Sequence, residues 1–246
     1  MVNIAYVLAG GFGTRLRPVI GDLPKPMAGV AGRPFLEHLF DYLLAQGVAR
    51  VVICSGYRAE LIEAYFGQTY RGCDVLYSVE AEPLGTGGAL SKALERFKPE
   101  VPFLVANGDT YFPIDTRVLL SRLGEASWAL ASFGTAAATR YGALQLGPGG
   151  KVLGLQAGHP LARQPLGEPF QANSGIWIGD PSRISVPLVG PKPSYSLEEY
   201  LSEGLAQGTL TAVAQEFDSP FVDIGLPEDF ARAQKMAEFL GSYNQS

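Results

Sequence analysis

Ile4-Ala5-Tyr6-Val7-Leu8-Ala9-Gly10-Gly11-Phe12-Gly13-Thr14-Arg15-Leu16 joins a short apolar run to a loop rich in glycine. The run Ile4–Leu8 reads as a strand buried on both faces, as in a parallel sheet. The loop carries Gly10, Gly11, Gly13, Thr14 and the cations Arg15 and Arg17, and Pro24-Lys25-Pro26 adds another positive charge soon after. Glycine has no Cβ, so it takes positive φ and lets successive N–H groups approach an anion. Arginine offers a planar fork that fits phosphate, and lysine a compact charge. The pattern predicts a polyphosphate cradle at a strand end. It is neither the dinucleotide fingerprint, whose third glycine would fall where Leu16 stands, nor a Walker A loop, since Gly13-Thr14-Arg15 replaces Gly-Lys-Ser/Thr.

Working outward, Pro34 can start a helix whose Leu36, Leu39, Phe40, Leu43 and Leu44 share a face, with Gly47 as its stop and His38 on the solvent side. Arg50–Cys54 reads as a second buried strand, and Glu60–Phe66 as a helix with Leu61, Ile62 and Tyr65 inward. Asp74–Val79 is a third strand, Gly85–Phe97 a helix and Phe103–Asn107 a fourth strand. Such alternation predicts a mostly parallel sheet covered on both faces. From Ser127 onward the pieces are extended and separated by Gly and Pro: Trp128–Phe133, Ala143–Leu146, Lys151–Gln156 and Ser174–Ile178. These predict added, partly antiparallel strands. Gly158–Phe170, with little apolar periodicity, reads as a mobile loop. A helix at Leu197–Ala206, strands at Leu210–Ala214 and Phe221–Ile224, and a helix from Pro227 to about Leu240 follow.

With 246 residues, 47% of them hydrophobic, the chain can bury a large core. A net charge of −5 argues against nucleic acid as the main partner. Cys54 and Cys73 are too few for a disulfide framework and lack zinc-ligand spacing, so both read as reduced core thiols. No apolar run approaches a membrane span and no leader precedes the first strand, which together lead us to expect a soluble, cytoplasmic protein. His38 and His159 are the only histidines, and no Ser-His-Asp or Cys-His set can be assembled around them; His159, in the predicted loop, could touch substrate or be an ordinary loop residue.

Two carboxylates stand where such sheets bind ligands. Asp109 follows the strand Phe103–Asn107 across Gly108, and Asp223 lies within Phe221-Val222-Asp223-Ile224-Gly225. Ligands of open α/β sheets sit outside the carboxyl ends of the strands, and Mg²⁺ favours one or two carboxylates plus phosphate oxygens and water. Asp109 could equally be a turn residue, and Asp223 could be an acid preceding the helix at Pro227.

The glycine loop with Pro24-Lys25-Pro26 resembles the signature of the sugar-1-phosphate nucleotidyltransferases. The likeness extends through Glu82-Pro83-Leu84-Gly85-Thr86-Gly87-Gly88-Ala89, Asn107-Gly108-Asp109-Thr110-Tyr111-Phe112, Asn173-Ser174-Gly175-Ile176 and Phe221–Gly225, nearly the whole chain. It implies a Rossmann-like, doubly wound α/β fold with a mostly parallel, mixed sheet whose added antiparallel strands form the sugar side of the cleft. One domain would span 1–246, with a nucleotide-binding half (1–125) and a sugar-phosphate-binding half (126–246). The implied partners are a nucleoside triphosphate and a sugar 1-phosphate, the implied cofactor is Mg²⁺, and self-association is left open.

By the same resemblance, Arg15 and Lys25 are catalytic: Arg15 neutralises the leaving pyrophosphate and Lys25 holds the α-phosphate and the acceptor phosphate. Leu8, Gly10, Gly11, Gly13, Thr14, Glu82, Gly87, Gly88 and Asn107 would bind nucleotide, with Glu82 accepting from guanine or only shaping the turn before Pro83. Gly108, Asn173 and Gly175 would bind the sugar phosphate, and Asp109 and Asp223 the metal. The segments Asp22–Ala28, Gly32–Leu36 and Ile224–Phe230 are most similar to the branch that guanylylates D-glycero-α-D-manno-heptose 1-phosphate. Other sugars and bases, or a regulatory homologue that binds without transfer, share the framework. One departure stands out: Leu155-Gln156-Ala157-Gly158 occupies the stretch where many members carry a Glu-Lys pair, so that either Arg163 or Arg140 replaces the lysine, or the acceptor binds weakly, or activity is lost.

Overall fold

The computed structural model describes residues 1–135, 141–156, 170–188, 190 and 192–235. The opening apolar run is β1 (Ile4–Ala9), buried along its length except at Leu8. The glycine loop leads into a single turn of helix, α1 (Arg17–Ile20), and a small hairpin of β2 (Gly29–Val30) and β3 (Arg33–Pro34) precedes α2 (Phe35–Ala45). Pro34 sits just before α2, and Gly47 at φ 85° takes the left-handed turn beyond its end. The alternating half continues with β4 (Arg50–Ser55), α3 (Ala59–Phe66), β5 (Thr69–Tyr70), β6 (Cys73–Val79), α4 (Gly85–Arg96), β7 (Phe103–Asn107), β8 (Thr110–Tyr111) and α5 (Thr116–Leu123). The second half contributes β9 (Trp128–Thr135), β10 (Ala143–Leu146), β11 (Val152–Gln156), β12 (Phe170–Gly179), α6 (Leu197–Gln207), β13 (Ala212–Glu216), β14 (Val222–Asp223) and α7 (Pro227–Lys235).

A single ten-stranded sheet runs through both halves in the order β11-β10-β12-β7-β1-β4-β6-β5, with β9 paired to β12 and β13 to β9. Strands β7, β1, β4 and β6 are parallel, and β12 runs antiparallel to β7 and β9. From β1 the chain crosses outward to β4 and β6, then returns to place β7 on the other side of β1. The strand order therefore reverses between β1 and β7, the kind of crevice in which open α/β sheets bind ligands.

The core lies on both faces of this sheet. Ala5, Val7, Leu39, Phe40 and Phe112 pack on one face, and Tyr6, Leu90, Leu94, Trp128 and Trp177 on the other. Both cysteines are buried and unpaired, and burial pushes the Cys54 thiol upward in pKa.

Several expectations need correction. Periodicity assigns no element to Thr116–Leu123, yet it is helix α5, because Asp115 accepts from the Arg117 amide as a cap while Leu119 and Leu123 are buried. On α3, Phe66 rather than Tyr65 turns inward; Tyr65 is exposed and hydrogen-bonds Glu37. His38 does not face solvent but is 1% exposed. The polar side of α2 is covered by Arg33, Tyr70 and Arg71, which gather around Glu37 and Asp41, so His38 is shut off from water. The piece Ser174–Ile178 is the middle of a longer strand, and Phe221–Ile224 shrinks to the two residues of β14. Of the predicted loop Gly158–Phe170, residues 158–169 lie outside the described residues, and Phe170 opens β12.

Candidate active site

The loops after β1 and β7 leave adjacent strand ends, since Leu8 pairs with Asn107. Gly108 fastens them: its N–H donates to the Leu8 carbonyl at 2.8 Å, and a Cβ there would lie 3.0 Å from that oxygen. Gly108 is thus buried in strand packing and lines neither of the cavities described next.

The first cavity, about 250 Å³, is walled by Leu8, Gly10, Gly11, Phe12, Glu80, Pro83, Gly85, Thr86, Ala89, Asn107 and Asp109. Gly10 leaves space for Glu80, whose carboxylate a Cβ at position 10 would displace. Glu80 accepts from the Leu84 amide at 2.8 Å, and burial raises its pKa. Glu82 is exposed and lines a smaller neighbouring cavity of about 140 Å³ with Gly10, Phe12, Tyr57 and Glu80. Gly87 and Gly88 are also off the wall. They are buried where a side chain would meet Tyr195 and Leu84, and the Gly87 amide donates to the Tyr195 carbonyl at 3.0 Å. Gly13 takes φ 60°, and its carbonyl accepts from the amides of Leu16 and Arg17, shaping the loop from behind. Leu16 is fully buried and anchors the loop, whereas Thr14 is exposed and lines neither cavity.

The second cavity, about 380 Å³, contains Arg15, Lys25, Asn107, Asp109, Thr110, Tyr141, Gly142, Asn173, Ser174, Gly175, Glu198, Phe221, Asp223, Gly225 and Leu226. Asn107 and Asp109 belong to both walls. Lys25 Nζ stands 2.5 Å from Asp109 and 3.9 Å from Asp223. Asp223, remote in sequence, is brought there by the pairing of β14 with β8, which sets it opposite Thr110. Gly225 leaves room for the group: a Cβ would lie 3.0 Å from Asp223 and 3.2 Å from Lys25 Nζ. Burial, together with the neighbouring charge of Asp109, raises the pKa of Asp223 despite Lys25 and the Gly225 amide.

The strand β12 loses register between Asn173 and Trp177, and Gly175 there has φ 79°. A side chain at 175 would collide with the Asn107 amide, so this glycine admits Asn107 to the shared wall. An irregular strand beside a cavity re-aims its side chains. Here Asn173 Oδ1 accepts from Trp177 Nε1 at 2.8 Å and from the Gly175 amide at 3.2 Å, while Nδ2 donates to Glu198 at 3.2 Å. Glu198 escaped the sequence reading because Ser196-Leu197-Glu198-Glu199 scans as an ordinary helix start. Glu80 escaped it because Glu82 belongs to the recognisable block.

Asp109 and Asp223 converge on one cation, the Lys25 ammonium, which shows that the pair suits a positive centre with oxygen ligands. Among the described residues no group of three or more His, Cys, Asp and Glu is placed to hold a metal, and Asp109 and Asp223 are the two carboxylates beside Lys25. A divalent cation that keeps water and takes phosphate oxygens as its other ligands would fit such a pair. Arg140, His159 and Arg163, together with Ala157 and Gly158 of the stretch lacking the Glu-Lys pair, lie outside the described residues. Among the described residues no helix is long and apolar enough to cross a membrane.

Comparison with known proteins agrees with this geometry. Residues 4–238 match the nucleotidyl transferase family. The chain is 38% identical over 226 residues to D-glycero-alpha-D-manno-heptose 1-phosphate guanylyltransferase of Campylobacter jejuni, covering 92% of this chain and 96% of the relative. It is 34% identical over 233 residues to the protein of the same name from Aneurinibacillus thermoaerophilus, covering 94% and 96%. The crystal structure of HddC from Yersinia pseudotuberculosis complexed with GMP-PN superposes with a TM-score of 0.78 at 30% identity, over 95% of this chain and 99% of that one. With its glycine loop, its paired cavities and a match along almost its whole length, the chain belongs to the nucleotidyl transferase family.

Proposed function

We propose that the protein transfers a guanylyl group from GTP to D-glycero-α-D-manno-heptose 1-phosphate, giving the nucleotide-sugar and pyrophosphate. The observation that carries this reading is the wall of Asn107 and Asp109 common to both cavities, with Arg15, Lys25 and Asp223 beside it. A nucleotide in the first cavity and a sugar phosphate in the second would meet there. An oxygen of the acceptor phosphate attacks the α-phosphorus in line; the new P–O bond forms as the bond to the β-phosphate breaks, and the electron pair leaves with pyrophosphate. Both reactants are already phosphorylated, so positioning and charge stabilisation suffice.

Lys25 bridges the α-phosphate and the acceptor phosphate, and Arg15 takes the charge developing on pyrophosphate. Asp109 and Asp223 would hold Mg²⁺, which supplies further neutralisation of the triphosphate when bound. Glu80, rather than Glu82, presents a carboxylate within the nucleotide cavity, where it accepts from the N1–H and amino group of guanine, which uracil and thymine cannot reproduce. Gly10, Gly11 and Leu8 offer backbone to the base and ribose, while Gly13, Gly87, Gly88 and Gly108 act by shaping these walls. The two reduced, buried thiols suit a cytoplasmic location.

The test is pyrophosphate release by the purified protein with Mg²⁺, D-glycero-α-D-manno-heptose 1-phosphate and GTP, CTP, UTP, dTTP or ATP in turn. Release with GTP alone is expected. Release with another nucleotide overturns the base assignment, and release only when mannose 1-phosphate or another sugar replaces the heptose overturns the acceptor.

A further inference from the structure

His38 lines neither cavity, yet both of its ring nitrogens are engaged by the hairpin of β2 and β3. The Val30 carbonyl can only accept and the Arg33 guanidinium can only donate. Nε2 therefore carries the proton, 2.9 Å from the Val30 oxygen, and Nδ1 is a bare acceptor 3.0 Å from Arg33. The same guanidinium reaches Asp41 at 2.5 Å and Glu37 at 3.3 Å. One strand of the hairpin is thus held through its backbone and the other through its side chain, both from α2. The Gln234 amide on α7 grips the hairpin as well, donating to the Gly29 carbonyl at 2.5 Å and accepting from the Ala31 amide at 3.4 Å.

The hairpin adjoins the residues that carry the proposed chemistry. Lys25–Met27 is a single turn just ahead of it: the Ala28 amide donates to the Lys25 carbonyl at 3.0 Å, and the Phe35 amide, at the start of α2, donates to the Ala28 carbonyl at 2.9 Å. Ala28 and Val30 are fully buried, so a shift of the hairpin passes to the turn. With the hairpin seated, the Lys25 ammonium is set against Asp109 and Asp223. A second proton on His38 would undo the seat. Nδ1–H would face the Arg33 guanidinium, donor to donor and charge to charge. Glu37 and Asp41, the acids nearest the ring, are already occupied: Glu37 accepts from Tyr65, Tyr70 and Arg33, and Asp41 from Arg33, Arg71 and Tyr70. Burial and then the charge of Arg33 lower the pKa of His38 against the pull of Val30, Asp41 and Glu37, which keeps the ring neutral at neutral pH.

We infer that His38 is a positioning residue for Lys25: its neutral ring pins the β2–β3 hairpin to α2, and protonation of the ring releases the pin and displaces the ammonium. This rests on the proposed reaction for what Lys25 does, but not for where Lys25 stands. The experiment is pyrophosphate release from pH 8 to pH 5.5 by wild type, His38→Gln and His38→Ala, each assayed below its melting temperature. Glutamine packs less well than the ring and lowers stability, but it presents one donor and one acceptor and does not titrate. At pH 8 it should keep kcat near that of wild type. Alanine, with neither group, should lower kcat about 10- to 100-fold, as for a displaced catalytic group. KM for the nucleotide should change little, since Lys25 lines the second cavity and not the first. The ratio of wild-type to His38→Gln kcat should hold steady above about pH 7 and fall on acidification below about pH 6.5, where the ring protonates. Substrate phosphates and cavity carboxylates titrate alike in both proteins and cancel in that ratio.

A flat ratio across the whole range, wild-type kcat in His38→Ala, or equal losses in the glutamine and alanine variants would each overturn the inference. Where His38→Ala does not fold, the pH ratio decides. Lys25 also has a readout independent of turnover. Acetic anhydride labelling of the ligand-free proteins at pH 8, followed by mass spectrometry, should modify Lys25 faster in His38→Ala than in wild type, relative to the exposed Lys192. Equal labelling would overturn the inference. Absence of pyrophosphate release with every nucleotide, alongside faster labelling in the variant, would overturn the proposed reaction and leave His38 in its assigned place.

Discussion

Arg15 is exposed beside the carboxylates of the second cavity, so its removal should be felt in chemistry and not in folding. Arg15→Ala should lower kcat about 100- to 1000-fold, as for loss of one electrostatic donor, while the melting temperature moves little. Steady-state kinetics and a thermal melt check both halves of the statement. His38 is felt in folding too. Its Nε2 donates to the Val30 carbonyl at 2.9 Å, so its Nδ1 must accept from Arg33 at 3.0 Å, and the ring is neutral. Burial, and then the charge of Arg33, lower its pKa against the pull of Val30, Asp41 and Glu37.

A depressed histidine contributes stability that is present above its unfolded value near 6.5 and is lost as pH falls through the folded value. His38→Gln, with no titrating ring, should cost about 1–3 kcal/mol at pH 8, and the gap from wild type should narrow below about pH 6.5. Melting curves from pH 8 to pH 5 measure it; a gap that stays constant or widens on acidification would refute the assignment. Single residues were also where the sequence was least legible. Glu80 and Glu82 differ by two positions across a bend, where strand alternation no longer tells which carboxylate faces inward.

Among the elements, α6 joins the two halves. Its N-terminus rests on Thr86 of α4, its Glu198 reaches Asn173 of β12, and Tyr195 ahead of it packs over Gly87. Ser196→Ala removes the capping-box hydroxyl and should cost about 1 kcal/mol, or about 2–4 °C in melting temperature for a chain of this size. A thermal melt unchanged within error would mean that Thr86 alone holds the helix end. The strands of the parallel half were readable because a buried strand announces itself as an apolar run between turn residues. Helix α5 was not, because only Leu119 and Leu123 of its eight residues point deep into the core alongside Thr116. The pairing of β14 with β8 was beyond any local pattern, since two residues per strand carry no periodicity, and it is this contact that sets Asp223 near Asp109.

Over the whole molecule, one sheet passes through both halves, and a core cluster runs from Val2 to Ala233. The division at residue 125 should therefore not separate folding units. Both tryptophans, Trp128 and Trp177, sit in the second half, 5.7 Å apart between ring centroids. Leu39→Ala, a buried change in the first half, should cost about 2–5 kcal/mol. Its urea transition should shift equally by tryptophan fluorescence and by far-ultraviolet circular dichroism. A fluorescence midpoint left at the wild-type value would reveal two independent units.

The wall of Asn107 and Asp109 carries one more consequence for the proposed reaction. A nucleotide-sugar has its nucleoside on one side of that wall and its sugar on the other, so a single product molecule occupies both compartments. Neither substrate can enter while it stays. Accumulated product then competes with the triphosphate and with the acceptor together, and output slows as the pool fills without any separate regulatory pocket.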